Sequence, residues 1–290
     1  MLFLFFSVTC SVLVSVLLKR ATPLRIDVAQ AVTWNYAVAA LSCALLLKPS
    51  LAPLREAGAP WPELLALALA LPAIFLVFGR AVALAGIVRS DAAQRLSLLL
   101  SLAAAFALFG EALNAWKLAG LGIGVLALVG LLARPVEENA AAWRRIWPWL
   151  LATCAGYALI DVLLKRIALA HTSSMTALQA SFVLAFVLML AWQVLRVAKG
   201  DARFTLRSLY GGVLLGALNF SNIYFYVRAH QALPDSPATV FATMNIGVVA
   251  LGTLVGVAVF KEKTSAWNRV GLVLALIAIA LVALGANPQE

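Results

Sequence analysis

The chain is a succession of apolar stretches, each about 17 to 25 residues long, the length needed to cross a bilayer, separated by short segments that hold most of the charge. Lipid offers a backbone amide no hydrogen-bond partner, so a spanning segment must be a helix or a strand of a closed barrel. These runs are too long and continuous for barrel strands, which need only about 9–11 residues. An all-α integral membrane fold follows. Composition agrees: of 290 residues, 64% are hydrophobic and 12% charged, where soluble globular domains average about 45–50% and about 25%.

Breaking the sequence at charges, Pro and Gly predicts ten helices. The first five lie near Leu2–Leu18, Val28–Leu47, Pro62–Ala85, Ala92–Phe109 and Ala115–Leu132. After a polar stretch from Arg134 to Arg145, five more lie near Trp147–Ala168, Met175–Leu195, Leu209–Ala229, Pro237–Phe260 and Trp267–Leu284. The first run has no basic segment before it and no small-residue cleavage site after it, so it is expected to persist as a helix. The formal charge of +10 is spread over short loops instead of gathered in one patch, which speaks for topology and anionic lipid as its cause and against a nucleic-acid partner. Cys10, Cys43 and Cys154 fall inside spans with no C-x-x-C spacing, so neither a disulfide framework nor a metal cluster is expected, and no cofactor is indicated.

The two sets of five helices share sequence. Val16–Arg20 reads VLLKR and so does Val162–Arg166, at the ends of the first and sixth helices. Phe109–Gly120 (FGEALNAWKLAG) and Phe260–Gly271 (FKEKTSAWNRVG) coincide at Phe, Glu, Ala, Trp and Gly. Between these anchors Arg80-Ala81 pairs with Arg228-Ala229, and Ser90-Asp91-Ala92 with Ser236-Pro237-Ala238. The reading is a five-helix repeat over 1–133, a connecting loop over 134–147 and a second repeat over 148–290. An odd number of crossings starts the second copy on the opposite membrane face, so the halves are inverted, and two inverted halves create a central site with two alternative exits.

An apolar helix ending in a Gly-Glu or similar pair, a short turn, then a Trp-x-x-x-Gly helix start occurs twice, as Gly110-Glu111 with Trp116 and Gly120, and as Lys261-Glu262 with Trp267 and Gly271. In this the chain resembles the drug/metabolite transporter superfamily, specifically its ten-helix EamA-like branch. The resemblance implies transport of a small organic solute such as an amino acid, an amine, another metabolite or a drug, in the export direction and coupled to protons or exchange, in the cell's inner (plasma) membrane. Leu98 and Val249 stand where family members commonly carry Pro, and the first helix offers Ser7, Thr9, Ser11 and Ser15 but no acid.

Polar groups within spans are costly in hydrocarbon, so they are expected to face the bundle interior. Asn219, Asn222 and Tyr226 share one face of the eighth helix by i, i+3, i+7 spacing, and their amides and phenol suit a small zwitterion or polar organic solute; the competing reading is hydrogen bonding between helices. Tyr157, Asp161 and Lys165 form an i, i+4 stripe on the sixth. Asp161 is the candidate for coupling, because burying a carboxylate ties its protonation to occupancy of the site; an Asp161–Lys165 pair is the alternative. Asn35 and Asn245 are further cavity candidates, alongside Trp34, Tyr36 and Thr243. Arg80 and Arg228 either bind an anion or snorkel. Glu111 and Glu262 are assigned to solvated turns, Ser90 and Ser236 to the N-caps of the fourth and ninth helices, with Asp91 at the positive helix end and Pro237 at the first helical position. Pro72 is expected to bend the third helix.

A polytopic intramembrane enzyme acting on a lipid-linked substrate is the alternative function. His171 and His230 are the two histidines, assigned to separate loops, and H-E-x-x-H and glycine-rich phosphate-loop motifs are absent, so transport is preferred. The expected partners are a small-molecule substrate and membrane lipid, as a monomer or homodimer. Most Lys and Arg residues fall on loops after odd-numbered helices, which by the charge rule puts those loops in the cytoplasm and both termini outside, the reverse of the family's usual orientation. Cysteine substitutions in 199–207 and 134–145 should therefore react with impermeant thiol reagents only from the cytoplasmic side; labelling only from outside would restore the family's orientation.

Overall fold

The computed structural model describes residues 2–56, 58–109, 114–132, 140–233 and 237–286. Among these the regular structure is helical throughout, in ten long α-helices: α1 (Leu2–Ala21), α2 (Val28–Ser42), α3 (Trp61–Ala85), α4 (Ile87–Phe109), α5 (Ala115–Leu132), α6 (Ala140–Leu169), α7 (Ser174–Ala198), α8 (Leu206–Ala232), α9 (Pro237–Ala258) and α10 (Ala266–Ala286). A π-helical turn, Cys43–Leu47, extends α2, and a short 3₁₀ turn, Ala52–Arg55, precedes α3. Eight of the ten are long and apolar enough to cross a membrane. The other two fall short for different reasons: α5 is apolar but brief, while α8 carries Tyr210, Asn219, Asn222, Tyr226, Arg228 and Gln231 along its length.

The helices meet in a definite set of pairs. α3 lies against α6 and α7, α8 against α1 and α2, α4 against α6 and α9, α1 against α9, α2 against α7, and α5 against α10. Small residues set the closest approaches, as expected where dispersion and not water expulsion draws helices together. A methyl group at Gly212 or Gly216 of α8 would run into the backbone of α2 at Ala31 or Asn35, and one at Gly130 of α5 would run into Gly271 of α10. Tyr36, fully buried, sits between the rings of Phe75 and Phe182 at 6.2 and 6.0 Å and ties α2 to α3 and α7. Trp34, on another face, lies beside Phe186.

Helix starts follow local chemistry in most places. Asp27 caps α2 through the amides of Ala29 and Gln30, Ser173 caps α7 and Thr205 caps α8. α4 differs. The sequence placed its N-cap at Ser90, but the helix begins at Ile87, and Ser90 and Asp91 lie inside it, 0% and 1% exposed. Its free amides are met from the α9–α10 turn: Glu262 Oε1 accepts from Ile87 N–H at 2.7 Å and Oε2 from Val88 N–H at 3.0 Å. Gly86, at φ 89°, is the single residue joining α3 to α4, and a Cβ there would collide with that carboxylate. Lys19 completes the knot, its Nζ 3.5 Å from Glu262 Oε1 and donating to the carbonyl of Val82 at 3.3 Å. Glu262 is thus a largely buried cap for a distant helix, where a solvated turn had been expected. Its counterpart Glu111 lies outside the described residues, as do Ser236 and 133–139.

Two further boundaries differ from expectation. α6 begins at Ala140, inside the stretch assigned to the connecting loop, so Arg144 and Arg145 sit on its first turns; His230 belongs to the last turns of α8, its ring 4.5 Å from that of Tyr226. Pro72 is accommodated within an unbroken α3, and Pro237 opens α9.

Replacing Glu262 by Ala removes acceptors from two helix-end amides and the partner of Lys19. By the usual worth of an N-cap the unfolding free energy should fall by about 1–2 kcal/mol, with Glu262→Gln, which keeps one acceptor, losing less. Equilibrium unfolding in detergent measures both; an unchanged midpoint for Glu262→Ala would sink the capping role.

Candidate functional site

The interior polar residues converge on the middle of the bundle from α1, α4, α6, α8 and α9. On α1, Ser7, Ser11 and Ser15 follow at intervals of four and so present one face. Two of the hydroxyls donate to other helices: Ser7 to Asn222 Oδ1 of α8 at 2.8 Å, and Ser15 to Asp91 Oδ1 of α4 at 2.6 Å. Ser11 instead accepts, from Arg95 Nη2 of α4 at 3.0 Å.

Arg95 is the centre of this arrangement. One turn beyond Asp91 on α4, it also donates through Nη1 to Asn245 Oδ1 of α9 at 3.3 Å, while Asn245 is held by its own amide group on the carbonyl of Phe241. The Nε of Arg95 and Oδ2 of Asp91 are buried without a hydrogen-bond partner, the latter packed against Gly252 of α9. A guanidinium in a bundle interior needs both charge balance and acceptors, and α1, α4 and α9 together supply them.

A cavity of about 200 Å³ opens on Arg95, lined also by Gln94, Tyr157, Asp161, Asn222, Tyr226 and Asn245. Two further voids adjoin it. One, of about 160 Å³, shares Gln94, Tyr157 and Asn222 and runs between the aromatic rings of Tyr36, Phe75, Phe78 and Phe182. The other, of about 300 Å³, shares Leu98, Asp161 and Phe241 and continues between α4 and α6 past Ser101, Lys165 and Phe109. A polar chamber therefore has an aromatic annex on one side and a passage carrying one cation on the other.

The residues singled out in the sequence distribute over these spaces. Asn222, Tyr226, Tyr157, Asp161 and Asn245 line the 200 Å³ cavity, and Asn219 lines the aromatic one. Asn35 lies behind the wall, fully buried, where its Oδ1 accepts from Asn219 Nδ2 at 3.1 Å. Asp161 Oδ2 accepts from Ser101 at 2.6 Å, and Lys165 Nζ stands 4.7 Å from the centre of the Phe109 ring. Asn222 spends its Oδ1 on Ser7 and leaves its two Nδ2 hydrogens for the cavity. Arg80 and Arg228 are exposed, far from this chamber in role, with Arg228 against the Phe3 ring.

Arg95 and Gln94 escaped the sequence reading. The signal was present: an Asp-x-x-x-Arg pair inside an otherwise apolar run from Ile87 to Phe109, which only looks like a helix start while the distant cap is unknown. Among the described residues no group of three or more His, Cys, Asp or Glu side chains is placed to hold a metal ion.

No family model matches the chain. A protein of Haemophilus influenzae (strain ATCC 51907 / DSM 11121 / KW20 / Rd), described as uncharacterized, is 41% identical over 281 residues, which span 95% of each chain. A crystal structure of another protein matches 97% of this chain and 99% of its own with a TM-score of 0.56 at 16% identity, a likeness of fold.

Proposed function

The chain belongs to one family with that Haemophilus influenzae protein, and from the geometry of its interior we propose that it is a membrane transporter, carrying a small zwitterionic or polar organic solute by alternating access. The observation that carries this is the joint presence of a guanidinium, Arg95, and a carboxylate, Asp161, with two phenols and three carboxamides on the walls of one small cavity. A zwitterion presents a carboxylate and an ammonium a few ångströms apart; Arg95 suits the first and Asp161 the second, and Tyr157 or Tyr226 offers a ring to the cation. The uncommitted Nδ2 of Asn222 adds a donor. An amino acid, an amine or a similar metabolite fits this inventory.

The helix pairs support the inverted repeat on which alternating access rests. Advancing each number by five turns α3–α6 into α8–α1, α4–α6 into α9–α1, and α2–α8 into α7–α3, while α5–α10, α2–α7 and α4–α9 map onto themselves. On this reading α5 and α8 also span, giving ten crossings: α5 reaches across beside α10, and α8 is paired to lipid poorly because its polar face lines the chamber. The EamA-like resemblance adds the inner membrane and the export direction. Alternation then consists of the two halves rocking about the chamber, opening the passage past Lys165 in one state and closing it in the other.

Asp161 is the coupling group of this scheme, since it borders both the chamber and the passage and its oxygen bonds a hydroxyl that can donate to either protonation state's remaining lone pairs. Purified protein in liposomes should accumulate an amino acid or amine under an imposed gradient. Asn222→Ala should weaken substrate binding by about 1–2 kcal/mol, or roughly five- to thirtyfold. Asp161→Asn should abolish dependence on a pH gradient while leaving exchange of labelled solute intact. Gradient dependence preserved in Asp161→Asn retires the coupling role, and hydrolysis of a lipid-linked substrate without any solute flux transfers the assignment to an enzyme.

A further inference from the structure

A second concavity lies at the outer surface, away from the chamber. It is a groove of about 480 Å³ formed where the α1–α2 turn meets the start of α8. Arg25 of the turn and Arg207 of the first turn of α8 both border it, and among the described residues neither guanidinium has a hydrogen-bond or ion-pair partner. The acid nearest in sequence, Asp27, is committed elsewhere, to Arg196 at 3.1 Å and to the amides that begin α2. The rest of the groove is apolar, with Leu17 and Leu214 along the helix flanks and the half-exposed Leu24 on the turn.

The placement is built in. Arg25 holds a left-handed conformation at φ 54°, fixed by N–H bonds from Arg25 to the carbonyl of Thr22 and from Ile26 to that of Ala21. A side chain at Gly211 would drive into Ile26, so glycine there lets the turn seat on α8 and bring the two guanidiniums to one groove. Tyr210, 68% exposed, stands at the same level with a phenol suited to the depth where headgroups meet acyl chains.

We propose that this groove binds an anionic phospholipid of the adjoining leaflet, its phosphodiester held between Arg25 and Arg207 and an acyl chain laid along Leu17 and Leu214. A lone arginine at a helix end needs only to snorkel into water. Two unpaired guanidiniums flanking an apolar groove match a ligand that is anionic at one end and hydrocarbon at the other, and guanidinium forks recognise phosphate oxygens in pairs. The groove lies on the end of the bundle that carries the basic loops after odd-numbered helices, the side exposed to anionic lipid by the charge rule. The site is independent of what the chamber transports.

Native mass spectrometry of the detergent-solubilised chain with equimolar phosphatidylglycerol and phosphatidylcholine of identical acyl chains tests it. The unaltered protein should retain phosphatidylglycerol preferentially, and Arg25→Gln/Arg207→Gln should cut that preference at least fivefold. Arg25→Lys/Arg207→Lys, which keeps charge but not the fork, should fall between. The control Arg166→Gln/Arg228→Gln, which removes two exposed guanidiniums from the C-terminal portions of α6 and α8, should leave the preference as it was. Absence of a preference in the unaltered protein, or an equal drop in the control, overturns the site; thermal unfolding of each variant confirms that lost lipid is not lost fold.

Discussion

A guanidinium inside a bundle of apolar helices is the constraint from which much of this architecture follows. Placing Arg at the centre of a bilayer costs at least about 2.5–3.5 kcal/mol even on the most lenient scale, so Arg95 requires neighbours that balance and solvate it. It has Asp91 one turn away, Ser11 from α1 and Asn245 from α9. Those contacts oblige α1, α4 and α9 to meet at a fixed depth. Asp91 in turn needs Ser15, four residues past Ser11, so α1 is fixed in rotation as well as in position. The glycine at 252 makes room for the second oxygen of Asp91, and a larger residue there would displace it.

The same constraint reaches the end of the bundle. α4 can offer its charged turn to the interior only if it starts well before it, and a helix start within apolar surroundings leaves amides that something must satisfy. Glu262 does so from the α9–α10 turn while Lys19 of α1 balances its charge. The three helices that surround Arg95 at the centre are thus joined again at their ends. α8 completes the chamber from the other side, which explains its composition: a helix lining a polar cavity cannot also score as uniformly apolar.

The succession of helices was legible because a bilayer writes its thickness into sequence, and apolar runs report their order, though not every boundary. The interior face of α8 was legible too, since Asn219, Asn222 and Tyr226 obey helical spacing and line the voids at the centre of the bundle. What failed was every feature decided by a residue far away. Ser90-Asp91 has the look of a helix start, and only Glu262, about 170 residues later, reveals that the start lies earlier. Because that boundary was misplaced, Asp91 was counted as an end group and Arg95 went unremarked. Asn35 and Asn245 looked alike as mid-span amides, yet one is spent on a neighbouring helix and the other holds Arg95. Periodicity tells which residues share a face, not what stands opposite.

The pairing of α5 with α10 bears on how the chain is assembled. Each is pressed against the other through glycines at 130 and 271 that admit no side chain, and α5 is an apolar helix of only 18 residues. Its main partner is synthesised more than a hundred residues later. Until then α5 has α4 beside it but lacks the helix that covers its surface at Gly130 in the finished fold. The first half of the chain cannot reach its final packing alone. Completion of this fold is therefore a late event, governed by the arrival of α10.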